Sequence, residues 1–281
     1  MAAHIKKLNV GAFEVHVLSE GVIKVHTSQA FGDRDEALWR PHVETDANDC
    51  MDYGLNIVHV KTEHASILID TGIGEKHPTR EQTEERFPFI ETTGLLTSLE
   101  TLEISRLDIT HVLTTHAHGD HFMGHTILRG GERVAAYPNA EYYMMEADFN
   151  PNGQAKDSPF ILHFPVLQES GHLQLLPESM KITNGVRMIH SPGESPGHAI
   201  VEIESDGETL HVLGDLFHEP LEVSHMDWVW QGRDQEKMIR SRAELVAMAT
   251  ETDAKLITAH FPFPGMGKIE QQGSSYVWRG A

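Results

Sequence analysis

Apolar and polar positions change their period several times along this chain, and each change marks an element. Residues 13–18 and 22–25 are two short apolar alternations around Ser19, Glu20 and Gly21, which predicts a hairpin-like pair of strands. Residues 56–61 and 66–69 read as two more strands of the same sheet. The stretch 109–115 (ITHVLTT) is rich in β-branched residues and short enough for a buried strand. Residues 95–104 and 235–249 carry apolar side chains at helical spacing, more regularly in the second. Strands at 186–189, 199–203, 209–213 and 255–258 supply a second half. Such alternation predicts α/β layers, two sheets flanked by helices.

A length of 281 residues suits one domain spanning 1–281. No repeat or low-complexity tract breaks it, and the charged stretch 75–86 reads as a solvated loop or helix face. The formal charge of −20 would repel polyanions, and no Lys/Arg cluster with interleaved aromatics appears, so nucleic acid is not an expected partner. A neutral or modestly charged small molecule suits this balance better. No apolar run approaches eighteen residues, and the opening MAAHIKKLNVG lacks the apolar core of a signal peptide. The single cysteine, Cys50, cannot close an intrachain disulfide. The expectation is a cytoplasmic protein without a membrane span; a trimmed secreted form would read the same way.

Chemistry enters at 115–121, Thr-His-Ala-His-Gly-Asp-His. His116 and His118 are two apart, so on an extended segment both rings leave the same face and can grip one cation. Asp120 and His121 follow Gly119, where the chain can turn and aim a second pair of ligands at a neighbouring point. Mixed imidazole and carboxylate donors suit zinc, with iron, manganese and cobalt also tolerated, whereas calcium or magnesium would want oxygen almost exclusively. The motif follows the strand expected at 109–115, at the end where α/β sheets place their sites. Further metal-capable side chains close later segments: His198 in SPGHA, Asp215 after TLHVLG and His260 after KLITA. Seven ligands are enough for two ions with positions left open.

At this point the chain resembles the metallo-β-lactamase superfamily, whose HxHxDH motif is followed by a distant His, a bridging Asp and a final His. The resemblance implies an αββα sandwich. It also implies a first metal on His116, His118 and His198, a second on Asp120, His121 and His260, and Asp215 bridging them. Asp70, in ILIDTG, matches the family's aspartate that supports the ligands from behind; a turn-forming role is the other reading. GDLFH at 214–218 and AHFPFPG at 259–265 are similar to methyl parathion hydrolase and its relatives, a branch near the N-acyl homoserine lactone lactonases. Many lactonases of the superfamily have a tyrosine three residues after the bridging aspartate. Here that residue is His218.

The activity implied is hydrolysis of small esters or lactones, with phosphotriesters a further class of the branch, by a metal-bridging hydroxide. Asp120 is the candidate for carrying its proton to the leaving group. His218 would donate a hydrogen bond to the substrate oxygen, or else be a structural histidine bonded to backbone. The alternatives are a mononuclear iron persulfide dioxygenase of the same fold, a thioesterase of the glyoxalase II type and an inactive scaffold. Residues 151–180, with Pro151, Pro159, Pro165 and Pro177 among apolar neighbours, read as an insertion that roofs the metals. Phe261 and Phe263 are expected to bring a ring close to the second ion. Trp228 and Trp230 read as pocket walls or as the contact of a homodimer.

Overall fold

Strands that are apolar on both faces become the interior of a layered structure, and Ser66–Ile69 shows how. Ile67 and Ile69 join one apolar cluster while Leu68, between them, joins another, and all three are essentially unexposed. The computed structural model describes residues 4–76, 80–81, 84–85, 87–91 and 94–281. Among these, one sheet runs in the order Ile5–Val10, Phe13–His26, Cys50–Lys61, Ser66–Ile69, His111–Leu113, Glu141–Met145 and Leu173–Leu176, with Phe89–Glu91 paired beside Phe13–His26. The other runs Met180–Thr183, Val186–His190, Ala199–Ser205, Glu208–Val212, Lys255–Ile257, Met266–Gln272 and Ser275–Gly280.

Val15, Val17, Val58, Val60, Ile67 and Ile69 of the first sheet share a cluster with Val186, Met188, Val201, Ile203, Leu210 and Val212 of the second. That is the seam between two face-packed sheets. On the outer side of the first sheet, Leu68, Val112 and Tyr142 pack with Leu99 and Phe164 from helices Leu95–Thr101 and Pro159–Glu169. Outside the second, Ile200, Leu256 and Ile269 meet Met238, Leu245, Val246 and Ala249 of helix Gln235–Thr252. The αββα sandwich expected from the sequence is the observed architecture. No helix of the described residues is long and apolar enough to cross a membrane.

Several local expectations change. Residues 13–18 and 22–25 are not two strands of a hairpin but one strand, Phe13–His26, with a bulge between Ser19 and Gly21. The bulge lets Glu20 turn inward and accept the backbone N–H groups of Ile73 (2.7 Å) and Gly74 (3.2 Å). Ile5–Val10 provides the actual hairpin partner. Within 75–86, residues 77–79, 82–83 and 86 lie outside the described residues. Arg80 departs from the solvated reading: it is 2% exposed, with its guanidinium 2.7 Å from Glu84 and over the ring of Phe89. In 151–180, Ser158 caps a helix, Pro159–Glu169, whose Phe160, Phe164 and Leu167 pack inward near Phe122.

Candidate metal centre

The segments that follow Ile69, Leu113, Met145, His190, Val212 and Ile257 gather the metal-capable side chains. Parallel pairing of Ser66–Ile69, His111–Leu113 and Glu141–Met145 in one sheet, and of Glu208–Val212 with Lys255–Ile257 in the other, brings these strand ends together. His116, His121, His198, Asp215 and His260 are each at most 3% exposed, whereas His118 and Asp120 are half-buried and face a cavity.

The imidazoles are oriented from behind. His121 Nδ1 lies 2.8 Å from Asp70 Oδ2, His198 Nδ1 is 2.9 Å from the Ser191 carbonyl, and His260 Nδ1 is 2.9 Å from the Gly54 carbonyl. Each acceptor fixes a proton on Nδ1; the Nε2 atoms of His121 and His260 turn to the centre, while that of His198 accepts the Asp215 backbone N–H. Asp70, at a φ of 61°, also accepts the Thr115 backbone N–H and hydroxyl, both at 2.8 Å, so it stands where the supporting role places it. His118 is reversed: its Nδ1 faces the site, 2.7 Å from His116 Nε2. Gly214 has a φ of +51°, and a Cβ there would stand 2.8 Å from His198 Nε2. A side chain would obstruct that donor.

Asp215 lies between two groups of imidazoles. Its Oδ1 is 3.1 Å from both His121 Nε2 and His260 Nε2, and its Oδ2 is 3.5 Å from His116 Nε2 and 3.3 Å from His218 Nε2. Asp120, His121 and His260 place ligand atoms within 4.8 Å of one another. A second such group comprises His116, His118, Asp215 and Glu194. His198 stands outside that group. Its ring centre is 5.3 Å from that of His116, and its Nε2 accepts the Asp215 backbone N–H at 3.1 Å.

Electrostatics divide the rings. Burial and the neighbouring rings hold His116 well below its ordinary pKa, and burial with the nearby Arg233 charge brings His118 down to about 3, so both rings stay neutral. Burial also works against charge on His121, but Asp215, Asp70 and Asp120 outweigh it and raise that ring well above its usual value. His121 Nε2 and Asp215 Oδ1 are buried without a hydrogen-bond partner. A borderline divalent cation fits this set of imidazole and carboxylate donors.

His218 is not tied to backbone through its ring. It stacks on Trp230 at 4.6 Å and lies parallel to His260 at 5.7 Å, with Nδ1 3.9 Å from Glu222. Burial lowers its pKa, yet Glu194, Asp215 and Glu222 together bring it up to about 10. The cavity over these groups measures about 420 Å³. Its polar side presents His118, Asp120, Asp215, His218 and His260, and its apolar side Ile23, Val25, Tyr53, Phe87 and Trp230. This is the usual composition of a small-molecule site.

The aromatic wall differs from expectation. Phe261 packs on Trp278 at 4.9 Å and Phe263 lies 5.8 Å from His4, so neither lines the cavity. Both turn away because their strand-end loop feeds the sheet seam and the outer helix layer, and Tyr53 stands near His260 instead. Trp230 is a cavity wall, whereas Trp228 is buried against Phe31 and His225. From 151–180, Pro159 reaches the cavity.

Three groups went unread in the sequence. Asp148 ties two ligand loops together by accepting the backbone N–H of Ala117 and Gly197 and the Ser195 hydroxyl. Glu222, which accepts the His218 backbone N–H at 2.8 Å, is itself held by Arg242 at 2.7 Å. Glu194 sits beside His118. Its place in SPGESPGH, four residues before His198, was the available signal.

Comparison with known proteins gives a consistent picture. Residues 53–260 match the model of a family described as the metallo-beta-lactamase superfamily. An N-acyl homoserine lactonase of Bacillus cereus is 25% identical over 169 residues, 55% of this chain and 60% of that protein. A second, from a Bacillus species, is 22% identical over 161 residues, 54% and 59% of the two chains. The chain thus spans about 60% of the length of the curated relatives it matches. A solved structure described as a dizinc quorum-quenching lactonase with a bound N-hexanoyl-L-homoserine product superposes with a TM-score of 0.80 at 23% identity, covering 99% of this chain and 98% of that one. A probable metal-dependent hydrolase from Staphylococcus aureus gives 0.83 at 24%, covering 97% and 99%. At such identities these two likenesses concern the fold.

Proposed function

The chain belongs to the metallo-beta-lactamase superfamily, and from that premise we propose that it is a hydrolase of small esters or lactones that works with two divalent metal ions. The observation carrying this reading is the Asp215 carboxylate, one oxygen directed at His121 and His260 and the other at His116. In this reading His116, His118 and His198 hold one ion, Asp120, His121 and His260 the other, and Asp215 is shared. A bound pair of such ions lowers the pKa of coordinated water and polarises an ester carbonyl. Zinc suits the donors best, with iron, manganese and cobalt as alternatives.

The chain's own residues supply the rest. The Asp120 carboxylate borders the cavity 3.5 Å from His260 Nε2, placed to take a proton and pass it to a leaving oxygen. His218 lines the same cavity, its Nε2 3.3 Å from Asp215 Oδ2, and in this reading donates to the carbonyl oxygen as charge builds there. Tyr53, Trp230, Ile23 and Val25 exclude water and take an acyl chain. Residues 151–180 act as an insertion within the single 1–281 domain that shapes the cavity edge through Pro159. Lactones are favoured as substrates because both curated relatives named above are N-acyl homoserine lactonases. Phosphotriesters rank behind them.

Assaying acyl homoserine lactones, aryl esters, paraoxon-like triesters and lactoylglutathione side by side tests this choice. The highest kcat/KM is expected on a lactone or ester; preference for the thioester would overturn it. His218→Ala should lower kcat about 100-fold, the scale for one lost donor to a developing oxyanion, with metal content unchanged. Loss of metal from that variant would give His218 a structural role instead.

A further inference from the structure

The structure assigns Glu194 to the metal centre: we infer that its carboxylate is a ligand of the ion shared by His116 and His118, which makes that site richer in oxygen than the histidine set alone. The inference rests on the dinuclear reading above and adds to it a ligand from outside the motif. Glu194 comes from the loop between Val186–His190 and Ala199–Ser205. Its side chain has no exposure, and its Oε2 is buried without a hydrogen-bond partner. Such a carboxylate oxygen is costly unless something cationic meets it.

Spacing argues the same way. Metal–nitrogen and metal–oxygen bonds near 2.0–2.2 Å in a tetrahedral arrangement put two ligand atoms of one ion about 3.4 Å apart. Glu194 Oε1 is 3.4 Å from His118 Nδ1, and Asp215 Oδ2 is 3.5 Å from His116 Nε2. One carboxylate oxygen of Glu194 lies within 4.8 Å of the ligand atoms of His116, His118 and Asp215. His198, the third histidine of this ion in the proposed grouping, falls outside that cluster, so Glu194 is the side chain that closes it.

Arg233 accounts for how a third carboxylate is tolerated here. Its Nε donates to Glu194 Oε1 at 2.5 Å, offsetting part of the added charge while Oε2 stays free. The oxygen that Arg233 holds is the one 3.4 Å from His118 Nδ1, so Arg233 aims the carboxylate at the ion while Oε2 stays without a hydrogen-bond partner. A harder, oxygen-richer site also predicts a smaller gap between manganese and zinc affinity than three histidines would give.

The test measures metal binding to the full chain by competition with a chromophoric chelator, using zinc and manganese separately, together with the visible spectrum of the cobalt-loaded protein. Glu194→Gln keeps the shape of the side chain and removes its charge. It should weaken one of the two ions by more than about 100-fold, beyond the range for loss of an outer partner. The loss should be larger for manganese, and the cobalt spectrum should shift. Arg233→Gln should keep both ions within about threefold of wild type, because the carboxylate remains. Unchanged affinities and an unchanged cobalt spectrum in Glu194→Gln, with the wild type binding two ions, would overturn the inference and leave the dinuclear reading intact. Equal losses in both variants would likewise overturn it, making the pair a structural clamp. A wild-type chain that binds no metal would instead remove the reading on which it rests.

Discussion

Asp215→Asn is expected to reduce kcat/KM by more than about 100-fold, the upper end of what losing an outer partner of a metal ligand costs, while the protein stays folded. The reasoning follows from where the two oxygens point. Oδ1 faces His121 and His260, and Oδ2 faces His116 and His218. An asparagine fills the same volume but turns one oxygen into an N–H₂ donor, which cannot ligate and repels a cation. It also halves the bridge that gives both ions a common anion. Steady-state kinetics with metal content measured on the same sample checks this. A variant with two ions and turnover within a fewfold of wild type would refute the bridging role.

Arg242→Met should lower stability by about 3–5 kcal/mol, the range for removing one partner of a buried ion pair. Arg242 is fully buried on helix Gln235–Thr252, with Nη2 2.7 Å from Glu222 and its other nitrogens on the carbonyls of Leu216, Met226 and Trp228. Methionine fills the volume but leaves Glu222 charged and unpaired, along with three carbonyl acceptors. Burial pushes the Glu222 carboxyl upward, yet Arg242 and His218 more than offset this and hold it below the usual value. A lowered folded-state pKa stabilises the protein above the ordinary glutamate pKa of about 4.3 and ceases to do so as pH falls through the folded value. Denaturant titrations from pH 7 downward should therefore show the wild type losing this contribution below about pH 4, with the variant already lacking it at pH 7. Equal stability of the two proteins at pH 7 would contradict this account. Because Glu222 accepts the His218 backbone N–H, a fall in turnover should accompany the lost stability.

The layers and the cluster of metal-capable side chains were legible for different reasons. Ser66–Ile69 and Lys255–Ile257 announce themselves because both faces are apolar and the run is short. Helix Gln235–Thr252 does so because one stripe of it meets a sheet. One bulged strand replaces the pair expected at 13–18 and 22–25 because a bulge and a turn draw on the same residues, Ser19, Glu20 and Gly21. What separates them is Glu20's bonds to Ile73 and Gly74, fifty residues away. Strands such as Glu141–Met145 and Leu173–Leu176 carry no strong period of their own, and their pairing is decided by the sheet edge they join.

At the centre, the cluster His116 to His121 could be read locally because its metal-capable side chains are neighbours in sequence. Glu194, Asp148 and Arg242 could not. A glutamate in a Pro/Gly loop looks like an ordinary turn residue until the fold carries it to His118, and an arginine on a helix looks solvated until it proves fully buried. Phe261 and Phe263 show the converse, since adjacency to His260 does not fix which way a ring turns.

The central claim is that buried imidazoles and carboxylates from distant segments hold a pair of divalent ions needed for turnover. Elemental analysis of the purified chain, paired with lactone and ester turnover before and after exhaustive chelation, tests it most directly. The account predicts two divalent ions per chain, activity lost with them and restored on adding zinc, cobalt or manganese. Barely any bound metal, with turnover undiminished after chelation, would contradict it.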